Sequence, residues 1–193
     1  FLTSANRVYK VLDNNGGTAY SGSEPTSEST SPFALGGYVL KYMYTISSSD
    51  AAKFLTTDFM PISTDSTVSA AATDGAIESL IVTAGSGYTD GTYYAAVFGD
   101  GTSQGTSSGA IVRITVSGGA IQSFGLTAGS DTTIHDGGAG YTFGTVNLGS
   151  SFTFSDAALT SASSMGSGTG GAIKVIISPK EGHGNDAVAE LGG

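Results

Sequence analysis

Alternating apolar and polar residues predict short β-strands along most of the chain. The clearest pattern is GYVLKYMYTI at residues 37–46. Successive side chains of a strand point to opposite faces, so one face of this strand should carry Tyr38, Leu40, Tyr42, Tyr44 and Ile46. Lys41 lies on the other face, among Val39, Met43 and Thr45. We expect the aromatic face to lie against a core or a partner, which makes Tyr38, Tyr42 and Tyr44 the candidate core or interface residues. A carbohydrate-stacking platform is the alternative interpretation of the same rings.

Other segments give weaker local predictions. β-Branched and aromatic residues favour strands at 7–12 and 93–98, whereas the Ser/Thr-rich stretch 18–32 is typical of an exposed loop. Residues 50–55 should form a short helix capped from within Ser47–Asp50, and 186–191 another, capped by Asn185 and closed by Gly192. We expect a boundary within 64–74 and a mobile loop at 161–171.

One unit of sequence occurs twice. The first copy reads GAIESLIVTAGSGYTDGT at residues 75–92, and the second begins as GAIQSFGLTAGS at 119–130 and resumes as GYTFGT at 140–145. Ile121, Phe124 and Leu126 should supply the strand of the second copy. Because copied supersecondary units bury their apolar faces against each other, the repeat predicts a β-rich structural module.

The strand that follows each copy is also related in sequence. GAIVRITV at 109–116 follows the first copy, and GAIKVII at 171–177 follows the second. The second copy contains an insertion, residues 131–139, which includes His135 and Asp136. Loops accept insertions at low cost, so we expect this segment at the tip of a hairpin.

The composition narrows the fold class and the partners. With 30 Gly, 12% charged residues and 39% hydrophobic residues, the chain fits an all-β fold of short strands and tight turns, as one domain or two small ones. The formal net charge of −9 opposes binding to nucleic acid, and no apolar run approaches the roughly 20 residues that span a bilayer. Without cysteine, disulfides and thiolate metal sites are excluded. Because the chain starts on Phe1 rather than Met, we expect it to be a piece of a longer protein.

Candidate chemistry is sparse. His135 and His183 both lie in loop-like sequence, where we expect solvated side chains, and Gly85-Ser86-Gly87 lacks the spacing of a nucleophile elbow. We therefore predict no enzyme activity, no catalytic residue and no cofactor. Several aspartates stand beside Gly, Ser or Thr, as is typical of turns: Asp90, Asp100, Asp131, Asp136 and Asp156. Their oxygens leave calcium open as an alternative, although no stretch has the spacing of a known calcium loop.

Both ends of the chain resemble a known family. The segments RVYKVLDNNG (7–16), EPT (24–26), GYVLKYMYTI (37–46), FLTTDFMPI (54–62) and ISPKEGHGNDAVAELGG (177–193) are similar to the baseplate wedge subunit of contractile-tailed phages, of the gene-eight-product type, in its marine cyanophage-like form. Four positions depart from the family pattern. Val11 replaces the usual Cys, Leu40 the usual Trp, Glu181 the usual Gly and Ala187 the usual Pro.

The resemblance implies a structural virion protein of the tail baseplate. Such a subunit is β-rich, forms a homodimer or larger assembly, contacts other wedge proteins and connects to the tail fibre apparatus. It also implies a discontinuous host domain, in which residues 1–65 and 171–193 form one β-sandwich and residues 66–170 form an inserted two-repeat module.

Two other functions are compatible with the sequence. A carbohydrate-binding adhesin or fibre module predicts exposed rings at Tyr88, Tyr93, Tyr94 and Tyr141. A polysaccharide-cleaving spike requires a pair of carboxylates in a groove.

Overall fold

The structure, a computed structural model, describes residues 1–103, 109–125 and 128–192 and is all-β with a few short helices. Leu126, one of the predicted strand residues, lies outside the described residues. The chain divides into two compact units. Unit 1 comprises Phe1–Thr73 with Glu181–Gly193, and unit 2 comprises Asp74–Lys180.

The division differs from the predicted boundaries at 65/66 and 170/171. Strand Ala172–Ile177, which was expected in the host domain, belongs to unit 2 because it pairs antiparallel with Ile77–Thr83. The second boundary therefore follows Lys180. Only after that residue does the chain return to unit 1.

Unit 1 contains a three-stranded antiparallel sheet in the order β1-β3-β2. Its strands are β1 (Arg7–Asp13), β2 (Phe33–Leu35) and β3 (Tyr38–Thr45). The outer strands both pair with β3, which opposes Tyr9 to Tyr42 and Leu35 to Tyr38. After β1 a 3₁₀ turn at Asn15–Gly17 reverses the chain. Asn and Gly suit this turn because Asn15 and Gly16 adopt positive φ angles of 53° and 61°.

The short helices of unit 1 each start at a side-chain cap. Helix α1 (Ser48–Phe54) begins at Ser47, whose hydroxyl accepts a hydrogen bond from the Asp50 N–H. Helix α2 (Ser66–Ala71) begins at Asp65 and was not predicted, because its small residues form no apolar period.

Helix α3 (Ala187–Leu191) begins one residue later than predicted. Its N-cap is Asp186, not Asn185, because the Asp186 carboxylate accepts from the Val188 and Ala189 N–H groups. Gly192 ends the helix in the left-handed conformation, as the sequence predicted.

Both faces of β3 are buried, contrary to the prediction of a single aromatic face. A register shift between Val8 and Tyr9 interrupts the alternation opposite Met43. As a result Tyr44 packs with Val8 and Met43, while Tyr42 packs with Tyr9 on the other side. Lys41 is only 1% exposed, and its ammonium donates a hydrogen bond of 2.5 Å to the Thr30 carbonyl.

Among its described residues, unit 2 contains two sheets and two clusters of buried hydrophobic side chains. Its strands are β4 (Ile77–Thr83), β5 (Gly91–Gly99), β6 (Ile111–Ser117), β7 (Ala120–Ile121), β8 (Thr133–Asp136), β9 (Gly144–Val146) and β10 (Ala172–Ile177). One sheet has the order β7-β6-β5-β9, with β8 also paired to β6, and β10 pairs with β4 in the other. One cluster of buried residues draws side chains from both sheets, including Leu80, Val97, Ile114 and Ile173.

Two predictions for unit 2 are wrong. His135 and Asp136 lie in strand β8 rather than at a hairpin tip. β7 pairs with only the last two residues of β6, and β8 pairs with residues 111–113 of the same strand. The expected mobile loop 161–171 contains a 3₁₀ turn at Ala162–Met165. Ala162 and Met165 are each only 2% exposed, since they fill the core of unit 2.

Candidate functional site

An open apolar groove on unit 1 is the candidate functional surface. Its volume is about 270 Å³. The side chains that line it include Val11, Tyr20, Pro25, Leu35, Tyr38 and Leu40. All six are apolar or aromatic, so the groove suits an apolar partner rather than a charged ligand.

The strand register explains why these side chains meet. Opposed residues of an antiparallel pair share a face, and β3 opposes Tyr38 to Leu35 and Leu40 to Val11. Farther along the same face, Val68 of α2 packs over the sheet. Near the groove this face of the sheet is accessible to solvent, and Val11 is 39% exposed.

Two tyrosines form the aromatic side of the groove. The Tyr20 and Tyr38 rings lie 6.1 Å apart at 65°, an edge-to-face arrangement. The Tyr38 hydroxyl donates to the Thr18 carbonyl at 2.7 Å, and the Tyr20 hydroxyl donates to the Ser23 carbonyl at the same distance. Because both hydroxyl protons are engaged within unit 1, the groove offers ring surface rather than hydrogen-bond donors.

The three tyrosines predicted as core or interface residues differ in burial. Tyr38 is half-buried in the groove, whereas Tyr42 and Tyr44 lie in the core of unit 1. Burial raises the pKa of both Tyr42 and Tyr44. The Tyr44 hydroxyl donates to the Pro61 carbonyl at 3.2 Å, as expected of a buried tyrosine. Of the three, only Tyr38 reaches the surface.

A buried polar cluster joins β1 to the C-terminal segment of unit 1. The Glu190 carboxylate accepts from the Lys10 ammonium at 2.7 Å, from the Gly184 N–H at 2.7 Å and from the His183 Nδ1. Burial opposes ionisation of Glu190, but the hydrogen bonds from His183, Lys10 and Gly184 outweigh it and lower its pKa to about 2. The carboxylate is therefore ionised at neutral pH and fastens α3 to the sheet.

The predicted solvation of His183 is wrong. The residue is 4% exposed because α3 folds back and places Glu190 against its ring. Sequence reasoning missed this cluster because its members are far apart in the chain. The only signal was that Lys10, His183 and Glu190 all fall within segments that carry the family resemblance.

The aspartates of unit 2 bind backbone N–H groups. Asp90 accepts from Gly118 and Gly119, which lowers its pKa, chiefly through the Gly119 bond. Asp100 accepts from the Thr142 hydroxyl and N–H and from the Phe143 N–H, and these bonds lower its pKa to about 2.

The other aspartates have comparable local roles or lie apart from one another. Asp136 accepts from the Gly138 N–H, and Asp156 accepts from the Ala158 N–H. Within residues 1–103, 109–125 and 128–192, no group of three or more His, Asp or Glu side chains is placed to hold a metal ion. The same ranges contain no helix that is both long and apolar enough to cross a bilayer.

The tyrosines of the adhesin alternative are not the exposed platform that it predicted. Tyr93 and Tyr141 are buried, at 7% and 2% exposure, and Tyr88 and Tyr94 are half-buried. Tyr93 and Tyr141 belong to the larger buried cluster of unit 2 and Tyr88 packs against it, whereas Tyr94 packs against the smaller cluster around Phe154. His135 is exposed, as predicted, and its ring lies 5.2 Å from that of Tyr94.

Comparison of the chain with protein-family models, with curated proteins and with solved structures finds no match. The fold and the candidate surface therefore carry the functional argument. They define an all-β protein with an open apolar groove on unit 1 and a glycine-rich unit 2.

Proposed function

We propose that the chain is a structural virion protein, a baseplate wedge subunit of a contractile phage tail that holds neighbouring subunits by protein–protein contacts. The observation that carries this proposal is the convergence of the family-like segments. Segment 7–16 pairs with segment 37–46 as β1 and β3. Leu55, Met60 and Ile62, from segment 54–62, pack against the same sheet.

The last family-like segment joins the same unit through the polar cluster. His183 and Glu190 come from it, and Lys10 comes from the first. Segments far apart in sequence thus build one folded unit together. This arrangement supports a resemblance that extends over a domain rather than over unrelated short matches.

The groove gives the proposal a specific contact surface. Its lining is apolar, and the whole chain carries a formal net charge of −9. The partner that fits is a neighbouring wedge subunit with an apolar centre and a basic rim, because interface cores are depleted of charge and rims favour opposite charge. Leu35 and Tyr38 are the side chains expected to contribute most to the affinity.

The location can be tested by antibody labelling of intact virions viewed by electron microscopy. Label at the tail baseplate is the expected result. Label at fibre tips would favour the adhesin alternative. Absence of label from virions in a preparation that contains the protein would overturn the virion assignment.

The contact surface has its own test, co-sedimentation of the purified chain with baseplates released from virions. Leu35→Glu should weaken binding by at least about tenfold, because it places a charge in the apolar centre. Phe59→Glu is the matched control, since Phe59 is 75% exposed and lies outside the groove lining. Equal binding by both variants and the parent would refute the groove as the contact.

A further inference from the structure

In unit 2, the two sequence copies make similar contacts with each other at corresponding places. The first copy is residues 75–92 with its following strand 109–116, and the second is residues 119–145 with its following strand 171–177. The contacts occur at the start of each copy, at its Gly-Tyr turn and in its strands.

The backbone contacts at the Gly-Tyr turns are reciprocal. The Tyr88 N–H of the first copy donates to the Gly119 carbonyl of the second at 3.1 Å. The Tyr141 N–H of the second copy donates to the Gly75 carbonyl of the first at 3.0 Å. Gly75 and Gly119 both open a copy, so the two bonds are equivalent.

A second pair of backbone bonds follows the same rule. The Ile77 N–H donates to the Gly137 carbonyl at 2.8 Å, and the Ile121 N–H donates to the Ala84 carbonyl at 3.0 Å. Ala84 and Gly137 each stand four residues before the turn tyrosine of their own copy. The first strand of each copy is therefore anchored by the turn of the other.

The tyrosine hydroxyls extend this exchange to the following strands. The Tyr88 hydroxyl accepts from the Gly171 N–H at 3.0 Å, where the strand after the second copy begins. The Tyr141 hydroxyl accepts from the Ala110 N–H at 3.1 Å, near the start of the strand after the first copy and one residue beyond the position that aligns with Gly171. Each tyrosine hydroxyl thus binds the strand that follows the opposite copy.

The strand pairing agrees with these contacts. In the first copy β4 pairs with β10, the strand after the second copy, and in the second copy β7 pairs with β6, the strand after the first. Their side chains Ile77, Ile114, Ile121 and Ile173 join one core cluster.

The backbone conformation of the turns is also shared. Gly85 and Gly138 each stand three residues before the turn tyrosine of their own copy, Gly138 within the insertion, and they have φ angles of 64° and 58°. A Cβ at Gly85 would lie 2.4 Å from the Gly171 nitrogen, and one at Gly138 would lie 2.9 Å from the Ala110 nitrogen. Glycine is required at both positions, because the turn approaches the opposite copy's strand too closely for a side chain.

We propose that unit 2 is an intramolecular two-fold pair, in which strands of each copy complete the sheet of the other. The whole of unit 2 should therefore unfold cooperatively. Removal of a contact between the copies should then destabilise the strands of both copies equally. This inference goes beyond the proposed function, because it concerns the internal construction of unit 2 wherever the protein is located.

The test is native-state hydrogen exchange on the full chain, comparing the parent with Tyr141→Phe. The substitution keeps the ring and removes only the hydroxyl, which accepts from the Ala110 N–H and also donates to the Val97 carbonyl at 3.5 Å. We expect exchange to accelerate by roughly tenfold and by the same factor in the β4–β10 pair and in β6, because a buried N–H loses its partner. Acceleration confined to β6 and its neighbours would overturn the proposal.

Two further variants make the result specific. Tyr88→Phe removes the equivalent contact from the other copy and should give the same uniform pattern, at a less buried position where folding is easier to retain. Tyr93→Phe is the matched control. Tyr93 directly follows the first copy, and its hydroxyl donates to the Thr89 carbonyl of that same copy at 3.0 Å, so this hydrogen bond does not join the two copies. We expect Tyr93→Phe to change exchange far less, and an effect as large and as uniform as that of Tyr141→Phe would refute a special role for contacts between the copies.

Discussion

Substitution of Glu190 by Gln tests whether the buried polar cluster stabilises unit 1. The Glu190 side chain is 8% exposed and accepts hydrogen bonds from Lys10, His183 and Gly184. The amide of Gln has nearly the same shape but carries no charge. Glu190→Gln therefore removes the ionic part of the cluster and leaves the packing of α3 in place.

The magnitude follows from the pKa of Glu190. It falls from an ordinary value of 4.5 to about 2 in the folded chain. Since each pKa unit corresponds to about 1.4 kcal/mol, ionised Glu190 contributes about 3 kcal/mol to the free energy of unfolding at neutral pH. We expect Glu190→Gln to lower the stability of unit 1 by about that amount.

The pH dependence gives a second, independent readout. A carboxyl group whose pKa is lowered by folding stabilises the folded state above its unfolded pKa, and this contribution is lost as the pH falls through its folded pKa. For Glu190 the window runs from about pH 4.5 down to about pH 2. The stability difference between the parent and Glu190→Gln should shrink across this window and vanish near its lower end.

The assay is urea denaturation at several pH values, followed through the backbone amide signals of Lys10 and Ala187, which report on unit 1. Glu28→Gln serves as a control, because Glu28 forms a 2.6 Å ion pair with Arg7 at the surface, where the Glu28 side chain is 53% exposed. This control should change stability little, since exposed ion pairs contribute little. A Glu190→Gln loss no larger than that of the control, or a loss that persists near pH 2, would refute the reasoning.

Three further predictions concern unit 2, each measured by urea denaturation. Ser79→Ala should stabilise the unit by about 1 kcal/mol, because the fully buried Ser79 hydroxyl has no hydrogen-bond partner among the described residues; a loss of stability would contradict this. Phe143→Asp should change stability by less than about 0.5 kcal/mol, because Phe143 is 59% exposed and the equivalent residue of the first copy is Asp90; a larger loss would show that the ring packs. Gly75→Ala should cost more than the roughly 1 kcal/mol expected for Gly118→Ala, since both have positive φ but only at Gly75 would the new Cβ meet a backbone nitrogen, at 2.4 Å; equal losses would contradict the close approach.

Local sequence predicted the elements whose formation depends on neighbouring residues. The alternation in 37–46 and the β-branched and aromatic residues of 7–12 predicted β3 and β1, and the structure confirms both strands. Helix α1 was predicted as well, but it begins at Ser48, two residues before the predicted start, because Ser47 caps it by accepting from the Asp50 N–H. Short edge strand β2 and helix α2 escaped prediction, since three and six residues give too little periodicity.

The candidate surface was harder to predict from the sequence than the strands were, because it depends on tertiary structure. The sequence singled out Tyr38, Tyr42 and Tyr44 together, because a regular strand would place them on one face. Only the register shift opposite Met43 and the packing of α2 decided that Tyr38 lines the groove while the other two are buried. A shift in register depends on the partner strand, which the sequence of one strand does not contain.

The sequence by itself determined the all-β character, the strongest strands and the turn residues of this chain. These follow from side-chain alternation and from the conformational freedom of glycine, which act over a few residues. Tertiary structure alone decided that strand 172–177 belongs to unit 2 and that Lys10, His183 and Glu190 meet in a buried cluster. Both outcomes depend on which distant segments pair and which charges are removed from water together, and these choices are made only when the whole chain folds.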